Sequence, residues 1–497
     1  MSEIKHTNIA KYIVIILGAI LFIAMFIKAS MTSFTHDESY TYLAFIHDSF
    51  MDIISFKNWY TNNHILNSLS MKYSEMIFGS SEIALRLPNL LALLIYMRYS
   101  YLLYRSEDPI ITIPVFALLI SNLAMIDLFS VARGYGLSFG FMIMGMYYLI
   151  EYLREPNRKY LIWFHSAAIL ASLSSFTMLT IYVSFLAVYN VVIFMEQFYV
   201  KAGKFELFQI NKVHIIPLLI ATAILFEPVR RVLTFSKLDF GGKEGFFENT
   251  LTHVSINLTH GLGLSDTAFV VAKIVLVLIV LLTFVWIIFK LIQKEVQFFE
   301  SYKGLIVSNL LLICISSIII LSHVILGADY PVARFSSFLI PLYLVHFGFL
   351  AQYVSALGNK KWMAPVMYGL ALASIISFVF KFDWHASSEW GYDMYTKNMV
   401  ETLEKYHQDN FPNETDVSLG IHWLFEPATN FYRETHQLNW LNRVDRDGFD
   451  AGDQYYYIFK DQLEELRLNT FEIIQEYAET ETYLIRNLEV VPAEEIE

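Results

Sequence analysis

The chain has 497 residues, of which 56% are hydrophobic and 16% are charged, and its mean hydropathy is +0.46. Soluble domains are less apolar, at about 45–50%, and carry about 25% charged residues. Apolar runs of about 20 residues recur over the first three quarters of the chain, and each is long enough to cross a hydrocarbon core of about 30 Å. This composition indicates a polytopic membrane protein and excludes a soluble enzyme. The net charge of −12 argues against a nucleic-acid partner.

The negative charge is concentrated at the C-terminal end. From Lys381 onward the sequence has 25 acidic and 9 basic residues, whereas the preceding part has 22 acidic and 26 basic residues. This asymmetry predicts a transmembrane domain over residues 1–380 and an acidic, soluble α/β domain over residues 381–497. In the second domain, the patterns predict strands at 417–421, 454–459 and 482–485, and helices at 427–435 and 463–477.

The apolar runs predict eleven membrane-spanning helices. They cover residues 11–29, 83–104, 110–127, 134–151, 160–178, 180–198, 213–228, 266–290, 304–326, 334–355 and 362–380. Lys and Arg are concentrated in alternate loops, which predicts a cytoplasmic N-terminus and an extracytoplasmic C-terminal domain. The expected fold class is therefore mostly α, a bundle of about 11 spans followed by a small extracytoplasmic α/β domain. If one bent helix covered 178–180, every later loop would lie on the opposite side of the membrane, but the Lys/Arg pattern argues against this.

Residues 30–82, called the first loop below, are predicted to lie outside the membrane and are too apolar for a simple connection. They carry adjacent carboxylates at Asp37 and Glu38, which suit the abstraction of a proton from an acceptor. Thr35 and Glu38 also fit a capping box, which is a structural explanation for the same acidic pair. The two explanations are compatible if Glu38 caps a helix while Asp37 faces a cavity. At 39–50, helical spacing of apolar residues predicts an amphipathic helix in the membrane interface.

Four arginines at predicted outer ends of spans are candidates for binding a donor phosphate. Arg133 lies in the turn VARGYG, Arg230 and Arg231 open a second long loop at 229–265, and Arg334 lies in ADYPVARFSSFLIP. Charged residues at a membrane are costly and are therefore functional candidates. One carboxylate with several arginines suits transfer from a phosphate-linked donor. The arginines would stabilise the leaving phosphate through charge-assisted hydrogen bonds, and the carboxylate would deprotonate the acceptor hydroxyl.

Lys57, Tyr60 and His64 lie on the first loop and are further active-site candidates. Each charged candidate also has a structural explanation. Arginines can extend to lipid headgroups, and His64 can be an interfacial hydrogen-bonding residue. The position of all the candidates on one predicted side of the membrane favours chemistry at that face.

The segment NNHILNSLSMKYSEMIFGSSEIALRLPNLLA, preceded by the Asp-Glu pair, resembles the GT-C fold glycosyltransferases. The similar families are the dolichyl-phosphate-mannose protein mannosyltransferases and their bacterial members, including the lipid A aminoarabinose transferases. Their Phe-Gly-x-Ser-Glu and Ala-x-Arg-Leu-Pro patterns match residues 78–82 and 84–88. Their Ala-Arg-x-Tyr pattern matches residues 132–135, and Arg334 opens a segment similar to their Arg-aromatic…Leu-Pro pattern. His64 departs from the pattern, because Ile and Leu follow it instead of two prolines.

The resemblance implies an integral-membrane enzyme of a bacterial inner membrane. It would transfer a sugar from a polyprenyl-phosphate-linked donor to an acceptor hydroxyl on the outer face, with inversion at the anomeric carbon. It implies a general-base role for Asp37, a supporting or acceptor-binding role for Glu38, and phosphate contacts for Arg334 and Arg133. No cofactor is required. A divalent metal at Asp37 and Glu38 is an alternative, but no ligand cluster beyond these two residues supports it.

The resemblance leaves the acceptor open among a glycan, a lipid and a protein. The C-terminal domain does not resemble the β-trefoil domains of eukaryotic protein mannosyltransferases. One alternative is an oligosaccharide polymerase or ligase on the same scaffold. Another is a transporter or flippase for a lipid-linked sugar, which would need a charged pathway through the spans.

Overall fold

The computed structural model describes residues 2–105, 109–200, 211–235, 241–259, 265–449, 452–466 and 468–490. Parts of the predicted loop 229–265 lie outside these ranges. Within them, eight helices are long and apolar enough to cross a membrane. They are Ile9–Met31, Gly134–Arg154, Met178–Gln197, Lys212–Phe235, Asp266–Ile292, Lys303–Leu326, Ala333–Gly358 and Trp362–Lys381. The predicted bundle of spanning helices is therefore present, but its count of eleven is not confirmed.

The remaining α-helices in the described residues are shorter or more polar. They are His36–Thr41, Phe50–Ile54, Ile65–Phe78, Glu82–Leu102, Pro109–Ile120, Leu123–Ile126, Arg158–Ser174, Leu251–Leu258, Val296–Ser301, Thr396–Asn410 and Glu426–Thr435. Two of them coincide with predicted spans but are too short or too polar to be counted among the eight. Glu82–Leu102 carries Arg86 and Arg98, and Arg158–Ser174 has only 17 residues.

The span predicted at 110–127 is broken. Its two halves, Ile110–Ile120 and Leu123–Phe129, meet at an angle of 60°. The side chain of Asn122 accepts a hydrogen bond from the backbone N–H of Met125, so it caps a new helix at this point. The pair counts as a ninth span only if the two halves are taken together.

The two helices predicted around residue 179 are separate and fold back on each other. The first ends at Ser174 and the second begins at Met178. The rings of Phe164 and Phe185 lie 5.8 Å apart. In one straight helix these residues would be about 30 Å apart, at 1.5 Å per residue. The prediction of two helices is therefore confirmed.

Small residues allow close packing inside the bundle. A Cβ atom on Gly140 would lie 2.8 Å from the carbonyl oxygen of Ala92, so the helix Gly134–Arg154 contacts the backbone of Glu82–Leu102 directly. Arg133 directly precedes the helix Gly134–Arg154 and contacts the first loop at Thr41 and Asn62. The position of the candidate site depends on this packing.

The C-terminal region contains a four-stranded sheet with the order β1-β2-β4-β3. The strands are β1 (Leu419–Ile421), β2 (Tyr455–Phe459), β3 (Phe471–Tyr477) and β4 (Thr482–Asn487). Strand β1 pairs parallel with β2, whereas β4 pairs antiparallel with both β2 and β3. The aromatic run of β2 is buried, as expected of an interior strand. The three predicted strands and the predicted helix at 427–435 are confirmed.

The predicted helix at 463–477 is wrong, because Phe471–Tyr477 forms strand β3. Glu and Gln favour a helix locally, which explains the error. The chain instead reverses before β4, with Glu481 in the left-handed region at φ +53°, and pairing with β4 fixes the extended conformation. Cross-strand contacts have therefore overridden local propensity.

The apolar residues of the first loop pack against the C-terminal region. The helix His36–Thr41 continues as a π-helix over Tyr42–Ile46. The Phe431 ring lies 4.2 Å from that of Phe34 and 5.0 Å from that of Tyr42. The prediction that residues 39–50 form a helix in the membrane interface is therefore wrong for Tyr42 and Ile46, which are buried inside the protein. These residues instead share one hydrophobic core with the C-terminal region.

Candidate active site

A cavity of about 590 Å³ lies where the first loop meets the ends of several bundle helices. Part of its lining is polar and includes Asp37, His64, Arg133, Tyr135 and Arg334. Most of the remaining lining is apolar. It includes Leu173, Phe176, Leu179, Val229, Val232, Leu233, Ile319, Leu326, Phe335 and Phe338. The volume falls within the range of about 300–1,000 Å³ that is usual for ligand pockets. A ligand with a charged head and an apolar body would match this lining.

Asp37 lies between two arginines that are distant in sequence. Its Oδ2 atom is 3.2 Å from Nη2 of Arg334 and 3.7 Å from Nη2 of Arg133. Burial alone would raise the pKa of Asp37, but the guanidinium groups of Arg133 and Arg334 outweigh burial and hold this pKa below its ordinary value. Asp37 is therefore an anion in a cavity that carries two cations.

Arg133 also fixes the first loop. Its Nη1 atom donates to the Thr41 hydroxyl and to the Asn62 carbonyl oxygen, each at 3.1 Å. The side chain is 3% exposed, whereas that of Arg334 is 25% exposed. Arg334 is thus the more accessible of the two arginines that pair with Asp37.

Glu38 points away from the cavity into a buried network. Its carboxylate forms a bidentate ion pair with Arg86, at 2.8 Å to Nε and 2.7 Å to Nη2. It also accepts from the backbone N–H groups of Thr35, at 2.9 Å, and Ala132. The Glu38 half of the predicted capping box is therefore confirmed. Glu38 and Arg86 are both fully buried, so Glu38 is placed to support the loop and not to touch an acceptor.

Arg86 uses its remaining N–H groups to hold the chain just before Asp37. It donates at 2.8–2.9 Å to the carbonyl oxygens of Ala29, Thr32 and Ser33. A buried charged group is tolerated only when its N–H groups are hydrogen-bonded in this way. Arg86 thus sets the conformation of the chain that leads to Asp37. It lies in the Ala-x-Arg-Leu-Pro pattern at residues 84–88, but it was not among the predicted site residues.

His64 lines the cavity as a neutral ring. Burial lowers its pKa to about 3. Its Nδ1 atom lies 2.7 Å from the Ser174 carbonyl oxygen, which can only accept, so Nδ1 carries the proton and Nε2 is an acceptor. The His64 ring contacts that of Tyr135 at 5.4 Å. Tyr60 also lines the cavity and packs against Tyr40.

Three predicted site residues do not reach the cavity. The helix predicted to end at 228 continues to Phe235, and Val229, Val232 and Leu233 form its cavity-facing stripe. Arg230 and Arg231 lie off that stripe and pair with Glu227 on their own helix, each at 2.7 Å. Arg230 and Arg231 therefore do not lie where they could bind a phosphate beside Asp37, as was predicted for them.

Lys57 is the third residue outside the cavity. Its side chain is 65% exposed and lies 3.0 Å from Asp52. The short helix Phe50–Ile54 brings this local carboxylate close, so Lys57 faces solvent instead of Asp37.

Glu389 and Trp390 contact Arg334 but were not predicted. Glu389 Oε2 lies 3.6 Å from Nη1 of Arg334, and the Trp390 ring centroid lies 4.8 Å from its guanidinium carbon. Burial raises the pKa of Glu389 above its ordinary value, although Arg334 opposes this. The available signal was an aromatic, acidic stretch, SSEWGYD, shortly after the last predicted span.

The donors around Asp37 do not favour a resident metal ion. In the described residues, no group of three or more His, Cys, Asp or Glu side chains is arranged to hold one. Asp37 and Glu38 do not converge, because the carboxylate of Glu38 is held by Arg86. The residues present therefore do not fit the alternative of a divalent cation held jointly by Asp37 and Glu38.

The chain is similar in structure to ArnT from Cupriavidus metallidurans, solved bound to undecaprenyl phosphate. The identity is 13% and the TM-score 0.46, over 96% of this chain and 99% of that chain. The apo state of the same protein gives a TM-score of 0.44 at 13% identity, with the same coverage. The archaeal oligosaccharyltransferase AglB from Archaeoglobus fulgidus was solved with an inhibitory peptide and a dolichol-phosphate. It gives a TM-score of 0.41 at 12% identity, over 89% of this chain and 69% of that chain.

No protein-family model matches the chain, and a search of curated proteins finds no match either. ArnT and AglB are GT-C fold enzymes, the class that the sequence motifs resemble. Because these likenesses are distant, the function is inferred below from the residues of the cavity.

Proposed function

We propose that this chain is a membrane glycosyltransferase. It would transfer a sugar from a polyprenyl-phosphate-linked donor to an acceptor hydroxyl, with Asp37 as the general base. The observation that supports this proposal best is the position of Asp37 between Arg133 and Arg334 in a cavity with extensive apolar lining. A phosphate needs cations, a lipid chain needs an apolar surface, and an acceptor hydroxyl needs a base.

The donor phosphate would bind to Arg334, which is the more exposed partner of Asp37. Guanidinium groups hold phosphate oxygens through charge-assisted, often bidentate hydrogen bonds. Phosphate binding would displace the carboxylate of Asp37 from Arg334. The displaced carboxylate would then be available to the acceptor, and its pKa would rise because its counter-charge is neutralised.

In the transfer step, the acceptor oxygen would attack the anomeric carbon of the sugar from the side opposite the phosphate. The bond from that carbon to the phosphate oxygen breaks as the new carbon–oxygen bond forms, and the configuration inverts. The acceptor proton passes to the carboxylate of Asp37, and polyprenyl phosphate leaves with the bonding electron pair. Arg334 and Arg133 would stabilise the negative charge that develops on the leaving phosphate.

We place this chemistry on the outer face of a bacterial inner membrane, with the N-terminus in the cytoplasm. The distribution of Lys and Arg among the loops supports this orientation. Labelling of single-cysteine variants by a membrane-impermeant maleimide would test it, after Cys314 is replaced by serine. A cysteine introduced at the exposed Trp423 should be labelled from outside intact cells.

The function is tested with the Asp37→Asn variant and the lipid that copurifies with the wild type. Native mass spectrometry of the wild type should find a polyprenyl phosphate or its glycosylated form, and the mass would give the length of the polyprenyl chain and the class of sugar. Asp37→Asn should abolish transfer from that donor while membrane insertion and folding persist, because asparagine cannot accept the proton. Near-wild-type turnover by this variant would rule out Asp37 as the base.

The same experiment separates the alternatives. A bound oligosaccharide-lipid would favour a polymerase or ligase over transfer of one sugar. No bound lipid, even after polyprenyl-phosphate sugars are added, would remove the proposed donor. A bound lipid-linked sugar that the wild type does not transfer would favour a transporter or flippase.

A further inference from the structure

The segment Ala386–Asp393, called the tail strap below, connects the last helix of the bundle to the C-terminal region. Its first residues are anchored to a buried ion pair between Lys28 and Asp127, whose Nζ and Oδ1 atoms are 2.6 Å apart. Lys28 donates to the Ala386 carbonyl oxygen at 2.8 Å. Asp127 accepts from the Ser387 hydroxyl at 3.0 Å and from the Ser388 N–H and hydroxyl at 2.7 and 2.9 Å. These bonds fix the start of the strap to the helix bundle.

The middle of the tail strap contacts Arg334. Glu389 lies 3.6 Å from one guanidinium nitrogen, and the Trp390 ring is stacked near the guanidinium at 4.8 Å. Trp390 is only 2% exposed, so its ring position is fixed by packing. A cation over an indole face is attracted by the quadrupole of the ring, and more strongly where water is excluded. Arg334 is therefore held from one side by the strap and from another by Asp37.

The end of the tail strap holds the residue that precedes Asp37. Asp393 accepts from the backbone N–H of His36 at 2.6 Å and from the Thr396 hydroxyl at 3.2 Å. Asp393 is 1% exposed. The same eight-residue segment thus contacts Arg334 and the residue next to its ion-pair partner Asp37.

We propose that the tail strap positions the base and the phosphate-binding arginine for catalysis. In this role Glu389 and Trp390 orient Arg334, and Asp393 holds the chain at Asp37. The inference rests on the proposed transferase function. When a donor phosphate separates Asp37 from Arg334, the direct contact between them is lost. The strap contacts remain and preserve the spacing between the acceptor oxygen at Asp37 and the phosphate at Arg334.

The strap also affects the charge at the cavity. Glu389 is a second carboxylate on Arg334, so the cation is shared between Asp37 and Glu389. Removing the charge of Glu389 would strengthen the pull of Arg334 on Asp37 and reduce the repulsion of an incoming phosphate. The charged and titratable groups that act on Asp37 are Arg133, Arg334, His36, His64, Tyr135, Glu389, Tyr392 and Asp393.

The test compares Glu389→Gln, Trp390→Ala and Trp390→Phe with the wild type, all as full chains in nanodiscs. The donor is the polyprenyl-phosphate sugar identified by mass spectrometry, and undecaprenyl phosphate serves as the binding probe. We expect kcat to fall about ten- to hundredfold for Glu389→Gln, because misplacement of a reacting group by about 1 Å costs up to 10²-fold. The KM for the donor and the Kd for undecaprenyl phosphate should not rise.

In Glu389→Gln, the pH at which kcat/KM falls on acidification should also be lower than in the wild type. The reason is that Arg334 then no longer shares its charge between Asp37 and a second carboxylate. Trp390→Ala should lower kcat, and Trp390→Phe should restore most of it by returning an aromatic face. The matched control is Glu476→Gln, which removes a carboxylate from an exposed pair with Lys460 on the sheet and should leave every quantity unchanged.

A merely structural role for the strap would lower the amount of active protein without moving the pH dependence of kcat/KM in Glu389→Gln, and this result would overturn the inference. Wild-type kcat, KM and pH profile in both Glu389→Gln and Trp390→Ala would also overturn it, while the proposed function would stand. A wild-type chain that transfers no sugar would refute the proposed function itself, and the inference would fail with it.

Discussion

The neighbouring residues Asp37 and Glu38 should respond in opposite ways to the same chemical change. Glu38→Gln replaces a carboxylate that accepts hydrogen bonds from Arg86, Thr35 and Ala132. All these partners are donors, so the NH₂ group of glutamine would face a donor. The fully buried Arg86 would also lose its counter-charge. Breaking a buried ion pair in this way costs about 3–5 kcal/mol.

That cost corresponds to a change of roughly 10²–10⁴ in the folding equilibrium, since about 1.4 kcal/mol is tenfold. We expect a much lower unfolding temperature and a poor yield for Glu38→Gln. Asp37→Asn should cost far less, because Asp37 borders an open cavity and asparagine keeps an oxygen for Arg334. It should remain folded but lose transfer.

The assay is thermal unfolding of both purified variants in the same detergent at one scan rate, followed by the transfer assay at a temperature where both are folded. The two substitutions are matched, because each converts a carboxylate to an amide. A Glu38→Gln variant as stable as the wild type would refute the structural role assigned to this network. Equal destabilisation by Asp37→Asn would refute the distinction between the two carboxylates.

Two further predictions concern charge at the cavity. Asp37 must be ionised to act as a base, and the arginines lower its pKa, so activity should be lost only as the pH falls through that lowered pKa. Donor phosphate neutralises the arginines, so the pKa of Asp37 should be higher in the donor complex than in the free enzyme. Measured over pH 3–8, kcat should therefore fall at a higher pH than kcat/KM does on acidification. A fall of both at the same pH would contradict this. Arg334→Ala should weaken undecaprenyl phosphate binding at least tenfold in a titration, because it removes a charge-assisted contact. Arg230→Ala should bind like the wild type, because Arg230 pairs with Glu227 outside the cavity; equal losses would place the phosphate elsewhere.

Local patterns in the sequence predicted several elements correctly. The apolar runs located the helices of the bundle, because a helix needs a long apolar stretch to cross a membrane. The capping pattern at Thr35 and Glu38 gave the start of the helix that carries Asp37, because a cap depends only on residues a few positions apart.

The same reasoning failed where distant contacts decide the structure. Arg133, Arg230, Arg231 and Arg334 are equivalent in sequence terms, since each lies near the end of an apolar run. Only Arg133 and Arg334 meet Asp37, because helix Ile215–Phe235 continues past residue 228 and turns Arg230 and Arg231 off its cavity-facing stripe.

The sequence by itself determined the membrane-spanning class, the acidic C-terminal region and the carboxylate of Asp37 as the leading candidate for a base. Only the tertiary structure separated Asp37 from Glu38, because that distinction depends on the buried position of Arg86, 48 residues further along the chain. Only the tertiary structure brought Glu389 and Trp390 to Arg334. Local patterns report hydrophobic length and capping, whereas a charged site is assembled from side chains that meet only after the helices pack.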